Sequence, residues 1–367
     1  MIKQRENSLL IIGIDNYKSA HFSNLINAVL DCENLIKVLT TEYNFNVVSR
    51  IYNDQATRKR IIDEITFLST SILPEDNLIV YFAGHGRISQ SNKGFWVPYD
   101  ADDGSVSNLI PNSVIKDLID DIEAKHIFLI SDSCFSGSFL SNTRQVYDEG
   151  HHYEKLDFDK SRWYLASGRN ESVSDGKAGE GSPFGRALLN VLTSNCDKYI
   201  STLQIIASVT KITGSGSIQQ PIGGPIQDVG HENGQMVLMK KENQVDNISH
   251  ETFNGLMRAY GFLKGQELLL SQIERMFKEL RTDILKIKIT WDLAFGAAEN
   301  IILHKLLKFT GLTCEQFNDM YVSKLYELFS IEINTQMKAE EYIDLIHQRS
   351  KGNIESPVIE YLLVNTP

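Results

Sequence analysis

Up to about residue 241, short apolar runs alternate with longer stretches whose apolar positions recur every three or four residues. The runs "LLIIGI" (9–14), "FNVVSRIY" (45–52), "NLIVYFA" (77–83), "HIFLISD" (126–132), "RWYLAS" (162–167) and "QMVLMK" (235–240) predict six strands. Stretches near 25–40, 57–72, 113–123, 184–194 and 202–212 predict helices between them. Most of the strand runs are almost continuously apolar, as strands covered on both faces are. The pattern therefore predicts an α/β sandwich around a mainly parallel sheet. Two segments break the rhythm: the Gly/Pro-rich 213–234 and the polar 141–160, "SNTRQVYDEGHHYEKLDFDK", both read as long loops.

Beyond about 245 only the helical period remains. In "QELLLSQIERMFKEL", Leu269, Ile273, Met276, Phe277 and Leu280 share one helical face, and similar runs follow near 291–309, 314–329 and 338–348. Thr313 and Gln316 have the spacing of a capping box before the third run. The division predicted is an α/β domain over 1–245 and an all-α domain over 246–367.

Composition narrows the function. The 367 residues are 42% hydrophobic and 23% charged, with a net charge of −11 and no long Lys/Arg cluster. That argues against nucleic acid or an anionic membrane as the main partner. Cys32, Cys134, Cys196 and Cys314 are widely spaced without a CxxC pair, which indicates neither a zinc site nor a disulfide framework. With no apolar run long enough for a signal peptide or a membrane span, a cytoplasmic protein is expected.

Candidate chemistry lies at two strand ends. "VYFAGHGR" places His85 between Gly84 and Gly86, where the backbone can turn tightly and a ligand can approach. About fifty residues on, "HIFLI" runs into "SDSCFSGS" and places Cys134 just past another strand, a separation like that of caspases. Sites in open α/β sheets collect outside the carboxyl ends of the strands, so the two residues can meet. A thiol near neutral pH needs a base before it attacks carbon well, and His85 is suited to that role. Backbone N–H groups of the Gly84–Gly86 turn and of Cys134 suit an oxyanion. Taken singly, the histidine reads as a strand-end residue bonded to backbone, and the cysteine as a small buried hydrophobe.

Together, "YFAGHG" and "ISDSCFSG" resemble the histidine and cysteine blocks of the caspase-like cysteine peptidases, nearer to bacterial members and metacaspases than to animal caspases. "LLIIGIDNYK", "LINAVLDCENLIKVL", "FWVPYDAD", "SPFGRALLNVL", "QQP" and "GHENGQMVL" extend the resemblance over roughly residues 6–241. It implies a caspase-like three-layer α/β/α sandwich with a mainly parallel six-stranded sheet, followed by a helical domain outside the resemblance. It also implies Cys134 as nucleophile, His85 as general base and acid, and the N–H groups of Gly86 and Cys134 as the oxyanion hole. No metal or organic cofactor is required.

In metacaspases an acid two residues before the nucleophile and another in the first helix line the pocket for the residue before the scissile bond. Asp132 and Asp31 match those positions, and two carboxylates favour a cation there. The resemblance thus implies cleavage of protein or peptide substrates after Arg or Lys. Self-processing is then expected in the 141–162 stretch, at Arg144, Lys155, Lys160 or Arg162. By the same resemblance the helical domain is a recruiting or sensing module for a protein activator or adaptor. Three departures stand out. Ala83 precedes Gly84 where many relatives carry serine, and only Asp100, not Asp102 or Asp103, falls in register with a calcium-binding acid cluster. His151 and His152 lack evident further ligands for a metal. Two other functions stay open at this level: an idle caspase-like scaffold acting through its helices, and a thiol hydrolase with a non-protein acyl substrate.

Overall fold

The computed structural model describes residues 5–91, 93–102, 105–133, 153–168, 175–195, 197–216, 220–241, 249–324 and 335–352. The chain divides into two compact units, one formed by 1–192 and 198–241, the other by 193–197 and 242–367.

The first unit is built on a six-stranded sheet. Its strands are β1 (Asn7–Gly13), β2 (Asn46–Tyr52), β3 (Asn77–Ala83), β7 (His126–Asp132), β8 (Ser161–Ala166) and β10 (Ile222–Pro225), in the order β10-β8-β7-β3-β1-β2. All neighbours are parallel except β10, which runs antiparallel to β8. The pleat sends alternate side chains to opposite faces. Leu10, Ile12, Val80, Phe82, Ile127 and Leu129 join one core with Ile61, Ile65 and Leu68 of α2 (Arg58–Ser71) and Ile115 and Ile119 of α3 (Asn112–Asp120). Leu9, Ile11, Ile79, Tyr81, Phe128 and Ile130 join the other core. That side is covered by α1 (Ala28–Glu42), α5 (Pro183–Ser194) and α6 (Thr202–Gly216), with Leu35, Leu188 and Val209 among their buried residues. Covering both faces explains the unbroken apolar runs, and the three-layer α/β/α sandwich follows.

The sixth strand is not the predicted one. "QMVLMK" contributes β11 (Val237–Met239) to a separate two-stranded antiparallel ribbon with β9 (Tyr199–Ser201). The main sheet instead ends in "IGGP", inside the segment read as loop. Its glycines belong there for a steric reason: a Cβ on Gly223 would stand 2.5 Å from Ile206 Cγ2 of α6. A second unpredicted feature follows β3, where β4 (Gly86–Ile88), β5 (Gly94–Trp96) and β6 (Ile110–Pro111) form a small antiparallel sheet. Trp96 stacks flat on Phe82, ring centroids 4.2 Å apart, and anchors this sheet on the end of β3.

The loop predicted over 141–160 closes with a short helix, α4 (Tyr153–Leu156), and with Asp157 buried. At this amino end of the sheet, wholly buried His126 accepts or donates through Nδ1 to Ser161 Oγ at 2.8 Å, and its Nε2 lies 3.3 Å from Asp157 Oδ1. The Arg5 guanidinium pairs with the other Asp157 oxygen. Burial alone would raise the Asp157 carboxyl, but His126 and Arg5 outweigh it and hold the group below its usual range.

The second unit is helical. Two long helices, α7 (His250–Met276) and α8 (Arg281–Thr310), are joined by one 3-10 turn and share a core with α10 (Gln336–Ser350) that includes Leu263, Leu270, Trp291, Leu306 and Ile346. Each boundary has a physical cause. Ser249 and Thr335 accept the N-terminal amides of α7 and α10, and α8 ends at Gly311 with φ +68°. Thr313 and Gln316 close the predicted capping box before α9 (Cys314–Phe317). The helix predicted to continue from there instead passes into a π turn over Asn318–Val322. Inside the unit, Lys264 bridges Glu267 (2.9 Å) and Glu299. Burial opposes its charge, but the two carboxylates outweigh that and raise its pKa.

Candidate active site

The chain leaves β1 toward β2 on one side and β3 toward β7 and β8 on the other. The site gathers at the carboxyl ends of β1, β3 and β7, beside this reversal of strand order, where α/β sheets open a crevice. β3 and β7 are in register to their last residues, Ala83 opposite Asp132, and the Gly84 N–H donates to the Asp132 carbonyl at 3.2 Å. The histidine turn and the end of β7 are thus held to one another by the sheet ladder. Ser133, buried, is the last described residue of this strand end; Cys134 is the next in the chain and lies outside the described residues. Ser167 Oγ donates to the Ser133 carbonyl at 3.4 Å, and the Ser131 and Ser133 hydroxyls are 2.8 Å apart.

His85 is half-buried. Its backbone N–H donates to Tyr17 Oη at 2.6 Å, and the two rings lie 4.9 Å apart. Gly84 is required by this contact, since a Cβ there would stand 2.9 Å from the same oxygen. The ring Nε2 lies 2.7 Å from the Ser23 carbonyl oxygen, which only accepts. Nε2 therefore donates, and in the neutral ring the lone pair that a base needs falls on Nδ1. Gly86 is buried and pairs with Trp96 at the start of the small sheet.

Both predicted acids are buried, Asp31 to 2% exposure and Asp132 to 7%, so Asp31 is no solvated helix residue. Asp31 stands in the first turn of α1, where the helix dipole favours an anion. Asp15, just past β1, accepts the Ala28 and Val29 N–H groups at 2.8 and 3.3 Å and so caps α1 from outside. Ser182, just before α5, joins the two acids. Its backbone N–H donates to Asp31 Oδ2 at 3.0 Å and its hydroxyl to Asp132 Oδ2 at 2.5 Å. Burial first, then the Asp132 charge, pushes the Asp31 carboxyl up to about 7, against the pull of the Ser182 bonds. Burial likewise raises Asp132 to about 6, with Ser182 and Ser167 pulling down and Asp175 adding repulsion. Among the described residues neither acid has an ion-pair partner, and Asp31 Oδ1 is buried without a hydrogen bond. Close glycines explain how it fits: a Cβ on Gly181 or Gly185 would meet that oxygen at 2.5 or 2.6 Å.

The wall carrying Ser182 is latched to α1. Buried Asn27 donates to the carbonyls of Asp175 (2.6 Å) and Lys177 (2.9 Å) and accepts from Gly179 N–H, while Asp175 Oδ2 accepts from Ile26 N–H. Gly176, Gly179 and Gly181 turn this segment with positive φ. Sequence reasoning passed over Asp15, Asn27, Asp175 and Ser182. Only Ser182 had a local signal, the Ser-Pro pair that opens a helix.

Other predicted residues are dispersed. Arg144, His151 and His152 lie outside the described residues, as does Asp103. Lys155 is exposed on α4 and Lys160 half-buried before β8. Arg162 lies inside β8, fully buried, its guanidinium donating to the carbonyls of Ser161 (2.8 Å), Ile122 (2.8 Å) and Lys125 (3.4 Å). A peptidase needs an accessible extended segment, so Arg162 holds as the start of the predicted strand and not as a cleavage position. Asp100 accepts the Arg58 N–H at 2.7 Å and so serves the first turn of α2. Among the described residues no three His, Cys, Asp or Glu side chains cluster to hold a metal ion, and no helix is long and apolar enough to cross a membrane.

Comparison with known proteins places the chain in a family. The caspase domain family matches residues 7–228. Metacaspase-1 of Eremothecium gossypii is 22% identical over 308 residues, 74% of this chain and 60% of the relative. Metacaspase-1 of Lodderomyces elongisporus is 27% identical over 150 residues, and that of Candida albicans 28% over 150, each match covering 36% of this chain and 33% of the relative. The chain thus spans between a third and three-fifths of these relatives' lengths. A crystal structure of a Geobacter sulfurreducens protein aligns at a TM-score of 0.44 with 16% identity, over 62% of this chain and 98% of that one.

Proposed function

The chain belongs to the caspase domain family, a family of cysteine peptidases, and on that premise we propose that it is an endopeptidase cleaving after Arg or Lys. Cys134 is the nucleophile. Its thiol proton passes to His85 Nδ1 as sulfur attacks the scissile carbonyl, and the N–H groups of Gly86 and Cys134 receive the oxyanion. His85 then returns the proton to the departing amine, leaving an acyl-thioester. Water, deprotonated by the same imidazole, attacks that thioester, and the proton passes to the departing Cys134 sulfur as the acid product leaves.

The observation that carries the specificity is the buried Asp31–Asp132 pair, two carboxylates with no cation of their own among the described residues. Burying such charge is costly unless a partner arrives, and a guanidinium or ammonium is that partner. Self-processing belongs at Arg144, Lys155 or Lys160, of which Lys155 is the described exposed position. The helical unit serves recruitment or sensing.

Reporter peptides ending in Arg, Lys, Asp or Ala test this reading. Hydrolysis is expected only after Arg and Lys and should vanish in Cys134→Ala. A preference for Asp-ending peptides, or undiminished turnover by the variant, would overturn it.

A further inference from the structure

Among the described residues, Ser182 alone bonds to both Asp31 and Asp132, and it does so with two different donors. Its hydroxyl oxygen meanwhile accepts the Gly185 N–H at 2.8 Å, in the geometry of an N-cap on α5. That bond occupies the acceptor side and leaves the hydroxyl proton aimed at Asp132. The main-chain N–H of the same residue faces Asp31. Resting on the basic-pocket reading above, we propose that Ser182 is a positioning residue for specificity: it holds Asp31 and Asp132 as one ionisable pair, so that the two carboxylates meet the substrate cation together.

The alternative is that Ser182 only caps a helix. Capping alone does not require a second buried acid on the hydroxyl, nor an unpartnered carboxylate oxygen pressed between Gly181 and Gly185. The charges around the pair also leave Ser182 the decisive donor. Asp175 on the 175–181 segment and Asp15 beyond β1 add negative charge, and neighbouring Cys32 and Tyr81 are neutral, both held protonated by burial first and the nearby acids second. Arg186, close to Gly181, is engaged by Glu180 at 3.4 Å. Ser167 assists Asp132 alone.

Calorimetric binding of benzamidine, a planar amidinium, to the full chain between pH 5 and 8 separates the two roles. Glycine caps a helix almost as well as serine but has no hydroxyl, whereas threonine keeps both functions. Ser182→Gly and Ser182→Ala are expected to weaken benzamidine about tenfold at pH 6.5, the scale of a lost hydrogen bond to a charged group. Both should move the midpoint of its pH dependence upward, and Ser182→Thr should restore both readings. Wild-type affinity and an unmoved midpoint in Ser182→Gly would overturn the proposal while the basic pocket stood. A wild-type chain that ignores benzamidine at every pH would remove the basic-pocket reading itself, and this proposal with it.

Discussion

The two ends of the central sheet treat buried acid in opposite ways. At the amino end Asp157 is matched by Arg5 and His126 and its carboxyl is held below the usual range. At the carboxyl end Asp31 and Asp132 face one another through Ser182, and both are pushed up. The protein thus shows that it can neutralise a buried carboxylate where structure alone is at stake. Among the described residues the other two have no cation, and in the proposed reading their partner is the substrate's own charge.

The sharpest way to break this contrast is at the chemistry. His85→Ala should lower turnover of Arg-ending peptides by at least about 1,000-fold with little change in urea midpoint, since it removes proton transfer rather than packing. Next is Asp157→Asn, which strands a buried guanidinium and should cost roughly 3–5 kcal/mol in denaturant unfolding. Asp31→Asn, by contrast, should leave stability unchanged or higher. Equal destabilisation by both would erase the distinction between the ends. Asp132→Asn should then reduce kcat/KM for Arg peptides about 100-fold, chiefly through KM, while sparing the fold.

The smallest effect is in pH. Asp31 and Asp132 bind protons more tightly folded than unfolded, so their contribution to stability is lost as pH rises from about 4 through 6 and 7. Asp157 is shifted the other way, and its contribution is lost as pH falls below the ordinary carboxylate range. His126 and His231, held down by burial, and Glu299, held up by it, titrate over the same range, so the contribution is read as a difference: relative to Asp31→Asn, wild type should lose roughly 1–3 kcal/mol of stability in urea between pH 4.5 and 7.5. An Asp31→Asn profile parallel to that of wild type would contradict the carboxyl-end assignment.

What could be read before folding was whatever is local. Continuous apolar runs announced five of the sheet's strands, and Thr313 with Gln316 announced its own cap, because both depend on near neighbours. β10 was hidden because Ile206 presses on its glycines, and glycine in a sequence signals a turn. Arg162 looked like the charged end of a loop, although its charge is satisfied by main-chain carbonyls that only the fold supplies. Asp31 and Asp132 were legible from their places relative to the motifs. Ser182 was not, since it reaches partners 151 and 50 residues away and its role exists only once they meet.

The last rung between β3 and β7 carries a mechanical implication. Because Gly84 hangs from the Asp132 carbonyl, the backbone beside His85 and the end of β7 are tied by a shared rung. In the proposed mechanism, that rung ties the seat of the substrate cation to the imidazole that receives the thiol proton.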